Sequence, residues 1–412
     1  MHEHAGPARE AAERAARMTY GKLVAILAVR ARDVASAEDA LSGALAEALV
    51  AWPRDGVPQN PDAWLLTAAR NNLADAQRRS RRERELPEAS MEHEHRLSRL
   101  LSSLDEQDSA DERLTLLFVC AHPAIDVSVR TPLMLQAVMG LSAEQIAAAF
   151  VISPTTMSQR LVRAKRRIVD TGVRFAQPDT EELPHRIEHV LEAIYGAFGT
   201  AYNDDVGADT SSTLAGEALD LIAIVTTQLP DCAEAWGLRS LMLLCHARRN
   251  ARRDTHGTYV PLREQQLSRW DRSLIDAGNQ SLMQAAQLRR PGRFQTHAAI
   301  QAAHMDAVLR GVDNSTPIAS LYDALMVQAP TIGTLIARAA AWADAGHEEQ
   351  ALQMLDNIDA HDVRTHQPYW AVRADVLRRV HRPAEARVAY DRAIGLTTEH
   401  ATREWLRQRS AL

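Results

Sequence analysis

The chain has few aromatic residues, few cysteines, no long apolar run and no excess of positive charge. Phe, Trp and Tyr make up 5% of its 412 residues, whereas Ala and Leu are abundant. Strands draw on aromatic and β-branched side chains, so this balance predicts an all-α fold. The three cysteines, Cys120, Cys232 and Cys245, are too few and too scattered for a disulfide framework or a four-ligand zinc site. They suit a reducing cytoplasm. The most apolar run, Leu219 to Val225, contains Asp220 and is far too short to span a bilayer. The N-terminal residues are polar and charged and lack the apolar core of a signal peptide. The expectation is a cytoplasmic chain with no membrane partner. A formal net charge of −6 excludes a globally basic coat protein for nucleic acid, so any such contact must rest on local patches. With 46% hydrophobic residues there is ample material for cores, and the length suggests two or three domains.

One patch lies in Leu141 to Ile168, which reads as two short helices joined by a tight turn. Ser142 and Gln145 have the spacing of a capping box, and Ile146 and Phe150 are expected to form the buried stripe of the first helix. The second helix starts at Ser153 as N-cap with Pro154 in the first helical position, where a missing N–H costs nothing. Met157, Leu161, Ala164 and Ile168 share one inward face. The other face carries Thr155, Thr156, Gln159, Arg160, Arg163, Arg166 and Arg167. This is the pattern of a helix-turn-helix unit. Thr155, Thr156, Ser158, Gln159 and Arg160 are placed to reach base edges in the major groove, and Arg163, Lys165, Arg166 and Arg167 to hold phosphates. One position is irregular: where such turns often place Gly, the chain has Val151, a β-branched residue that resists a positive φ.

A second patch follows Asn60 to Gln77, a predicted helix with Asn60 as N-cap, Pro61 at its first position and Trp64, Leu65, Ala68, Leu73 and Ala76 inside. Its polar face offers Arg70, Asn71, Asn72, Asp75 and Gln77, just ahead of Arg78, Arg79, Arg81, Arg82 and Arg84. Arginines near a helix C-terminus are also stabilised by the macrodipole, so the run alone does not establish a function.

Three stretches stand in a specific order: Ser36-Ala-Glu-Asp-Ala-Leu41 through Trp52, Asn60-Pro-Asp-Ala-Trp-Leu-Leu66 with Ala69-Arg-Asn71 to Arg79, and Arg130 to Ile168 with Met157-Ser-Gln-Arg-Leu-Val-Arg-Ala-Lys165. On these, residues of about 18 to 170 resemble an extracytoplasmic-function type sigma factor of bacterial RNA polymerase. Trp52-Pro-Arg-Asp-Gly-Val-Pro58, Cys120-Ala-His-Pro123 and Ser268-Arg-Trp-Asp-Arg272 are similar to the subgroup that carries a long tetratricopeptide-like C-terminal extension. The resemblance implies core RNA polymerase and promoter DNA as partners. It implies that Glu38, Asp39, Leu41, Leu45 and Glu47 meet the clamp helices of the polymerase's largest subunit. It also implies that Asn71, Asn72, Asp75, Gln77, Arg78, Arg79, Arg81 and Arg82 read and melt the upstream edge of the minus-ten element. The loop from Arg54 to Asn60 falls where relatives capture a flipped base, and Arg130 to Ile168 matches the minus-thirty-five reader.

The expected domains are then 1–84 for sigma region two, 85–112 for a linker, 113–177 for sigma region four with its helix-turn-helix, and 178–412 for a tetratricopeptide-like array. In relatives the linker threads the RNA-exit path. Glu88, Glu92, Glu94, Asp105, Glu106 and Asp108 make it acidic here, which suits either mimicry of nucleic acid or plain solubility. Past Gln177 the pattern turns repetitive. Ala339, Trp342, Gly346, Ala351, Leu355 and Ile358 fall at the offsets of a tetratricopeptide helix pair, and Ala374, Leu377, Ala386, Tyr390 and Ala393 repeat them. Ala351 and Ala386 stand 35 residues apart, close to the period of about 34 in that family. Such arrays bind a peptide or another protein, so a partner of this part is expected.

No Gly-rich phosphate loop, nucleophile elbow or paired metal-binding helix motif is present, and the clusters His2 with His4 and His93 with His95 lack a preorganised spacing. The expectation is no enzyme, no metal and no cofactor. Trp270, between Arg269 and Arg272, is read as a buried helix contact rather than an exposed anchor for another protein. The chain is thus expected to be a sigma factor modulated by its own C-terminal array. A helix-turn-helix regulator acting without polymerase, and a tetratricopeptide adaptor with a vestigial sigma half, remain the alternatives.

Overall fold

The computed structural model describes residues 5–84, 111–201 and 214–411. Among these the protein is all-α; its one extended feature is an isolated bridge between Arg253 and Tyr259. The described residues form two compact units, one comprising 5–200 with 214–224 and the other continuing from Val225. The expected linker falls almost wholly outside the described residues, together with its acidic positions and His93 and His95; so do His2 and His4.

The first unit opens with a three-helix bundle of α1 (Ala5–Ala31), α2 (Val34–Asp55) and α3 (Pro61–Arg84). In α2, Val34, Ala37, Leu41, Ala44, Ala48 and Trp52 recur at spacings of three and four, and all are buried. The alanines among them let the neighbouring helices come close. Asp33 caps α2, its carboxylate accepting from the N–H of Ala35 at 3.0 Å. The helix ends at Gly56, whose φ of 90° suits glycine. Asn60 caps α3 as expected, accepting from the N–H of Ala63 at 3.1 Å. Trp52 and Trp64 meet edge to face with ring centroids 5.6 Å apart. Ala76, expected inside, is exposed. It falls beyond the reach of the α2 packing that covers Leu65, Ala69 and Leu73.

Next come α4 (Glu112–Cys120), α5 (Val127–Ala137), α6 (Ala143–Ala149) and α7 (Pro154–Asp170). Every residue of α4 from Leu114 to Cys120 is buried, because it is sandwiched between α1 and α5. A helix apolar all round is a core helix. The groups on either side of residues 85–110 therefore pack on each other. A Cβ on Gly21 of α1 would fall 1.7 Å from the Val138 carbonyl oxygen, so only glycine permits that approach. Gly140, at φ 67°, lies under the Tyr20 ring. The unit closes with α8 (Leu183–Ala201) and the first part of α9 (Leu214–Gln228).

The second unit is a succession of helices: α10 (Ala233–His246), α11 (Arg272–Gln287), α12 (Arg293–Arg310), α13 (Ser315–Gln328), α14 (Ile332–Asp344), α15 (Glu348–Asp356), a single turn α16 (Ala360–Val363), α17 (Gln367–Arg379), α18 (Pro383–Leu396) and α19 (His400–Ser410). From α12 onward each helix of any length packs on the next, and α14 and α15 also meet α17. Ala339, Ala351, Leu355, Ala374, Leu377, Ala386, Tyr390 and Ala393 form one core cluster, with Ile358 packed against it. Between α10 and α11 an excursion with three short 3-10 turns is anchored by Trp270, which is 4% exposed and donates from Nε1 to Gln265 Oε1 at 3.2 Å. Trp270 is therefore an internal contact, although it precedes α11 rather than lying within a helix.

Candidate nucleic-acid interface

The α6–α7 pair is set by its caps. Ser142 Oγ accepts from the N–H of Gln145 at 3.2 Å, and Gln145 Oε1 accepts from the N–H of Ser142 at 2.9 Å. Ser153 Oγ accepts from the N–H of Thr156 at 3.1 Å, starting α7 with Pro154 in the first turn. Val151 takes the left-handed conformation that its β-branch opposes, with φ 54° and 91% of its surface exposed. The strain costs about 1–2 kcal/mol. It is offset locally, since the N–H groups of Val151 and Ile152 donate to the carbonyls of Ala148 and Ala147 at 3.3 and 3.1 Å and close α6. Phe150, expected in the buried stripe, is 40% exposed. It is the C-cap of this seven-residue helix, where the chain already turns away from the core.

On α7, Met157, Leu161, Ala164 and Ile168 are all buried. Thr155, Ser158, Gln159, Arg160, Arg163, Arg166 and Arg167 are exposed, while Thr156 is half-buried with its hydroxyl 2.7 Å from that of Ser153. Arg163 Nε donates to the Gln159 carbonyl at 3.2 Å, which draws its stem along the helix. Arg166 lies 3.7 Å from Asp170. Lys165 departs from the expected phosphate anchors. It stands four residues after Leu161 and three before Ile168, hence at the edge of the inward stripe, and its ammonium donates to Glu38 of α2.

On α3, Asn71, Asp75, Gln77, Arg78 and Arg79 are exposed. Asp75 pairs with Arg78 at 2.8 Å, and Arg79 Nε donates to the Asp75 carbonyl at 3.4 Å. Asn72 turns inward instead, its Nδ2 donating to the Ala40 carbonyl at 3.4 Å. Gly43 makes room for that amide, since a Cβ there would lie 2.9 Å from it. Arg81 and Arg82 belong to α3, but their side chains fall outside what is described. On α2, Asp39 and Glu47 are exposed and Leu45 is half-buried, whereas Leu41 lies in the bundle core. Leu49 and Val50 are exposed on the same helix, a pair the sequence reasoning missed. The signal was available, because neither falls on the three-and-four spacing that ends at Ala48 and Trp52.

A polar cluster lies where α1 and α2 face α4 and α7. Burial raises the Glu38 carboxyl above its ordinary range, and the facing Lys165 offsets this only in part. Burial, with the negative charge of Glu38, also raises the Tyr20 phenol and the Cys120 thiol. A second junction was not foreseen. Arg130 of α5 donates to the carbonyls of Ile125 at 3.0 Å and Pro123 at 3.4 Å, and its Nη1 lies 2.7 Å from His189 Nε2 of α8. His122 Nδ1 accepts from the N–H of Ala124 at 3.1 Å, and burial with nearby Arg186 holds the His122 imidazole below its ordinary value. The Cys120 to Pro123 stretch is thus the corner that joins α4 to α5 and seats α8.

The arrangement offers two exposed, arginine-bearing helix faces and an acidic face with two apolar residues. Comparison with known proteins fits it. Residues 16–83 match the family model of sigma-70 region 2, and residues 186–286 match a family of unknown function (DUF6596). An uncharacterized protein, R00370, of Rhizobium meliloti (strain 1021) is 35% identical over 379 residues, covering 91% of this chain and 89% of its own length. No solved structure matches. With the bundle of α1, α2 and α3 inside the region 2 match, and similarity to its relative extending over most of both chains, the protein belongs to the sigma-70 family of sigma factors.

Proposed function

We propose that this chain is a sigma factor of the extracytoplasmic-function type, acting in the cytoplasm on core RNA polymerase and a promoter with two elements. The observation that carries the proposal is the α7 face. Thr155, Ser158, Gln159 and Arg160 stand exposed near the helix N-terminus and Arg163, Arg166 and Arg167 further along, over a fully buried opposite stripe. In this reading α6 and α7 are a helix-turn-helix that lies in the minus-thirty-five major groove, with the first group at base edges and the second at phosphates.

The exposed face of α3, with Asn71, Asp75, Gln77, Arg78 and Arg79, takes the upstream edge of the minus-ten element, and the resemblance gives Arg81 and Arg82, next in the sequence, the same role. Asp39, Leu45 and Glu47, beside the exposed Leu49 and Val50, offer the polymerase an acidic and apolar surface. No covalent chemistry is needed. Unstacking the first bases costs a few kcal/mol, which binding of the displaced strand offsets. The helical succession of the second unit acts as a tetratricopeptide-like array that modulates initiation and takes a protein or peptide partner. The buried small residues Ala339, Ala351, Ala374 and Ala386 at its helix crossings support that.

Run-off transcription with purified core polymerase, the full chain and genomic promoter fragments tests the proposal. Discrete start sites that vanish without the protein support it. Tight duplex binding with no transcription replaces it with a regulator that works without polymerase, and absence of both leaves an adaptor. Output unchanged by removal of residues after 178 overturns the modulatory role of the C-terminal part.

A further inference from the structure

Just past the end of α10, Arg248 is only 7% exposed, and among the described residues its guanidinium meets amide oxygens and no carboxylate. Nη2 donates to Gln301 Oε1 of α12 at 3.0 Å, and Nη1 reaches Gln265 Oε1 at 3.5 Å, the outer limit of a hydrogen bond. Nε is buried with no partner. A guanidinium keeps its charge inside a protein, and a buried charge without a counter-charge is costly. Elsewhere in the chain the same edge of the fork holds a carboxylate. Arg382 donates from Nε and Nη2 to the two oxygens of Glu385 at 2.7 Å each, and Arg54 does so to Asp55 at 2.8 Å. That side-on geometry fits the paired oxygens of a carboxylate or a phosphate. On Arg248 the edge consists of an orphan N–H beside one that rests on a neutral oxygen.

The surroundings add positive charge and no spare acid. His304 stands three residues after Gln301, on the same flank of α12. Burial holds its imidazole below the ordinary value, Arg263 and Arg248 push the same way, and Asp344 opposes them. Asp344 is already shared between Arg263 at 3.1 Å and Arg379 at 2.8 Å. Gln265 is fixed on two sides, accepting from Trp270 Nε1 at 3.2 Å and donating from Nε2 to the Val260 carbonyl at 3.1 Å. The Ser268 to Arg272 stretch therefore holds one wall of this spot through Trp270. Gln301 is half-buried, and its long side chain can swing aside. We propose that the Nε–Nη2 edge of Arg248 is a binding site for a small oxyanion, a carboxylate or phosphate group, whose oxygens replace the Gln301 amide oxygen and meet the orphan Nε. The ligand is a small molecule rather than a protein surface, because so little of Arg248 is exposed. The site belongs to the second unit alone and stands whether or not the first binds polymerase.

The test is hydrogen exchange of the full-length chain in sodium chloride, part of which is replaced by acetate, succinate or inorganic phosphate, up to about 50 mM, at constant ionic strength so that screening does not change. An anion held by Arg248 slows exchange in α10 and α12 and leaves α1, α2 and α3 as they were, whereas a general salt effect slows both sets. The concentration that doubles the protection equals Kd, and at ten times that concentration exchange is about tenfold slower. A response to acetate or succinate identifies the group as a carboxylate, and a response to phosphate alone identifies it as a phosphate. Arg248→Met is expected to fold, since the charge it removes has no acid partner, and to lose the response. Gln301→Glu supplies the missing carboxylate from within the chain. Its α10 and α12 are expected to exchange more slowly than the wild type without any added anion, and to respond to none.

The site is overturned if none of the three anions slows α10 and α12 selectively, or if Arg248→Met responds as the wild type does. If Arg248→Met unfolds, Gln301→Glu decides: slower basal exchange with no response to added anion supports the site, and faster basal exchange or a wild-type response overturns it. Since polymerase and DNA are absent throughout, failed run-off transcription alongside a selective anion response counts against the sigma-factor reading and not against the site.

Discussion

Arginine is used in opposite ways by the ion-pair network of the second unit and by the α7 face of the first. In the second unit, Arg379 bridges Asp344 at 2.8 Å and Asp375 at 2.7 Å, Arg263 joins Asp344 at 3.1 Å, and Arg253, Arg338 and Arg373 each meet a carboxylate from another element. On α7, Arg160, Arg163 and Arg167 are exposed and make no ion pair among the described residues, and Arg166 meets Asp170 only at 3.7 Å in full solvent. Paired arginines tie helices together. Exposed arginines without acid neighbours leave a field that an external polyanion can neutralise. The net charge of −6 conceals this, because it sums over the whole chain and says nothing of how the arginines of α7 stand apart from acids.

The largest effect that sharpens this contrast is expected from Arg163→Glu combined with Arg166→Glu. Binding to a minus-thirty-five duplex should fall by about 100-fold, and the dependence of log affinity on log salt should flatten by about 2, as for the loss of two phosphate contacts. Core polymerase binding should stay unchanged; an equal loss there would break the division between α7 and α2. The counterpart, Arg379→Met, should leave DNA binding untouched and destabilise the second unit by about 1–2 kcal/mol, since its network is half-buried. Denaturant unfolding followed beside a DNA titration separates the two outcomes.

Next in size is Arg130→Met. It removes the donors to Pro123, Ile125 and His189 that seat α8 on the α4–α5 corner. A loss of about 2–3 kcal/mol is expected, because the freed carbonyls and imidazole are left without that partner. Chemical denaturation of the full chain, monitored at Trp52 and Trp64 in the first unit, reads it. A change below about 0.5 kcal/mol, the range of an ordinary surface substitution, would show that the corner holds without Arg130.

Features that depend on near neighbours were legible in the sequence, and those that depend on distant ones were not. The caps at Asn60, Ser142 and Ser153 and the inward stripe of α7 follow from residues within one or two turns of each other. The buried alanines of α14, α15, α17 and α18 were visible for the same reason, as a repeating offset. The position of Lys165 was hidden, because its partner is 127 residues away and its own spacing fits either the edge of the core or the basic face. Asn72 went inward through Gly43 and Ala40 of another helix. Val151 shows the converse case. Its intrinsic preference was judged correctly, yet the bonds that close α6 outweigh it.

The smallest expected effect is also the one that sets the two units apart by pH. In the first, burial raises the Glu217 carboxyl from its ordinary 4.5 to about 7, against the pull of nearby Arg113. The native state then holds a proton that the unfolded state has lost, so between about 4.5 and 7 stability falls as pH rises, and above 7 it levels off. In the second, burial and Arg249 lower the His246 imidazole from 6.5 to about 4. There the unfolded state binds the extra proton, so stability falls as pH drops from 6.5 toward 4. Glu217→Gln should therefore flatten the slope of the first unit and stabilise it above pH 7 by about 1 kcal/mol, a figure already discounted for solvent screening of a partly exposed group. The second unit should keep its loss on acidification. Urea unfolding at pH 5, 6, 7 and 8, with each unit followed by hydrogen exchange of its own helices, reads both slopes in one sample. Slopes of the same sign in the two units would mean that groups other than Glu217 and His246 govern how each responds to protons.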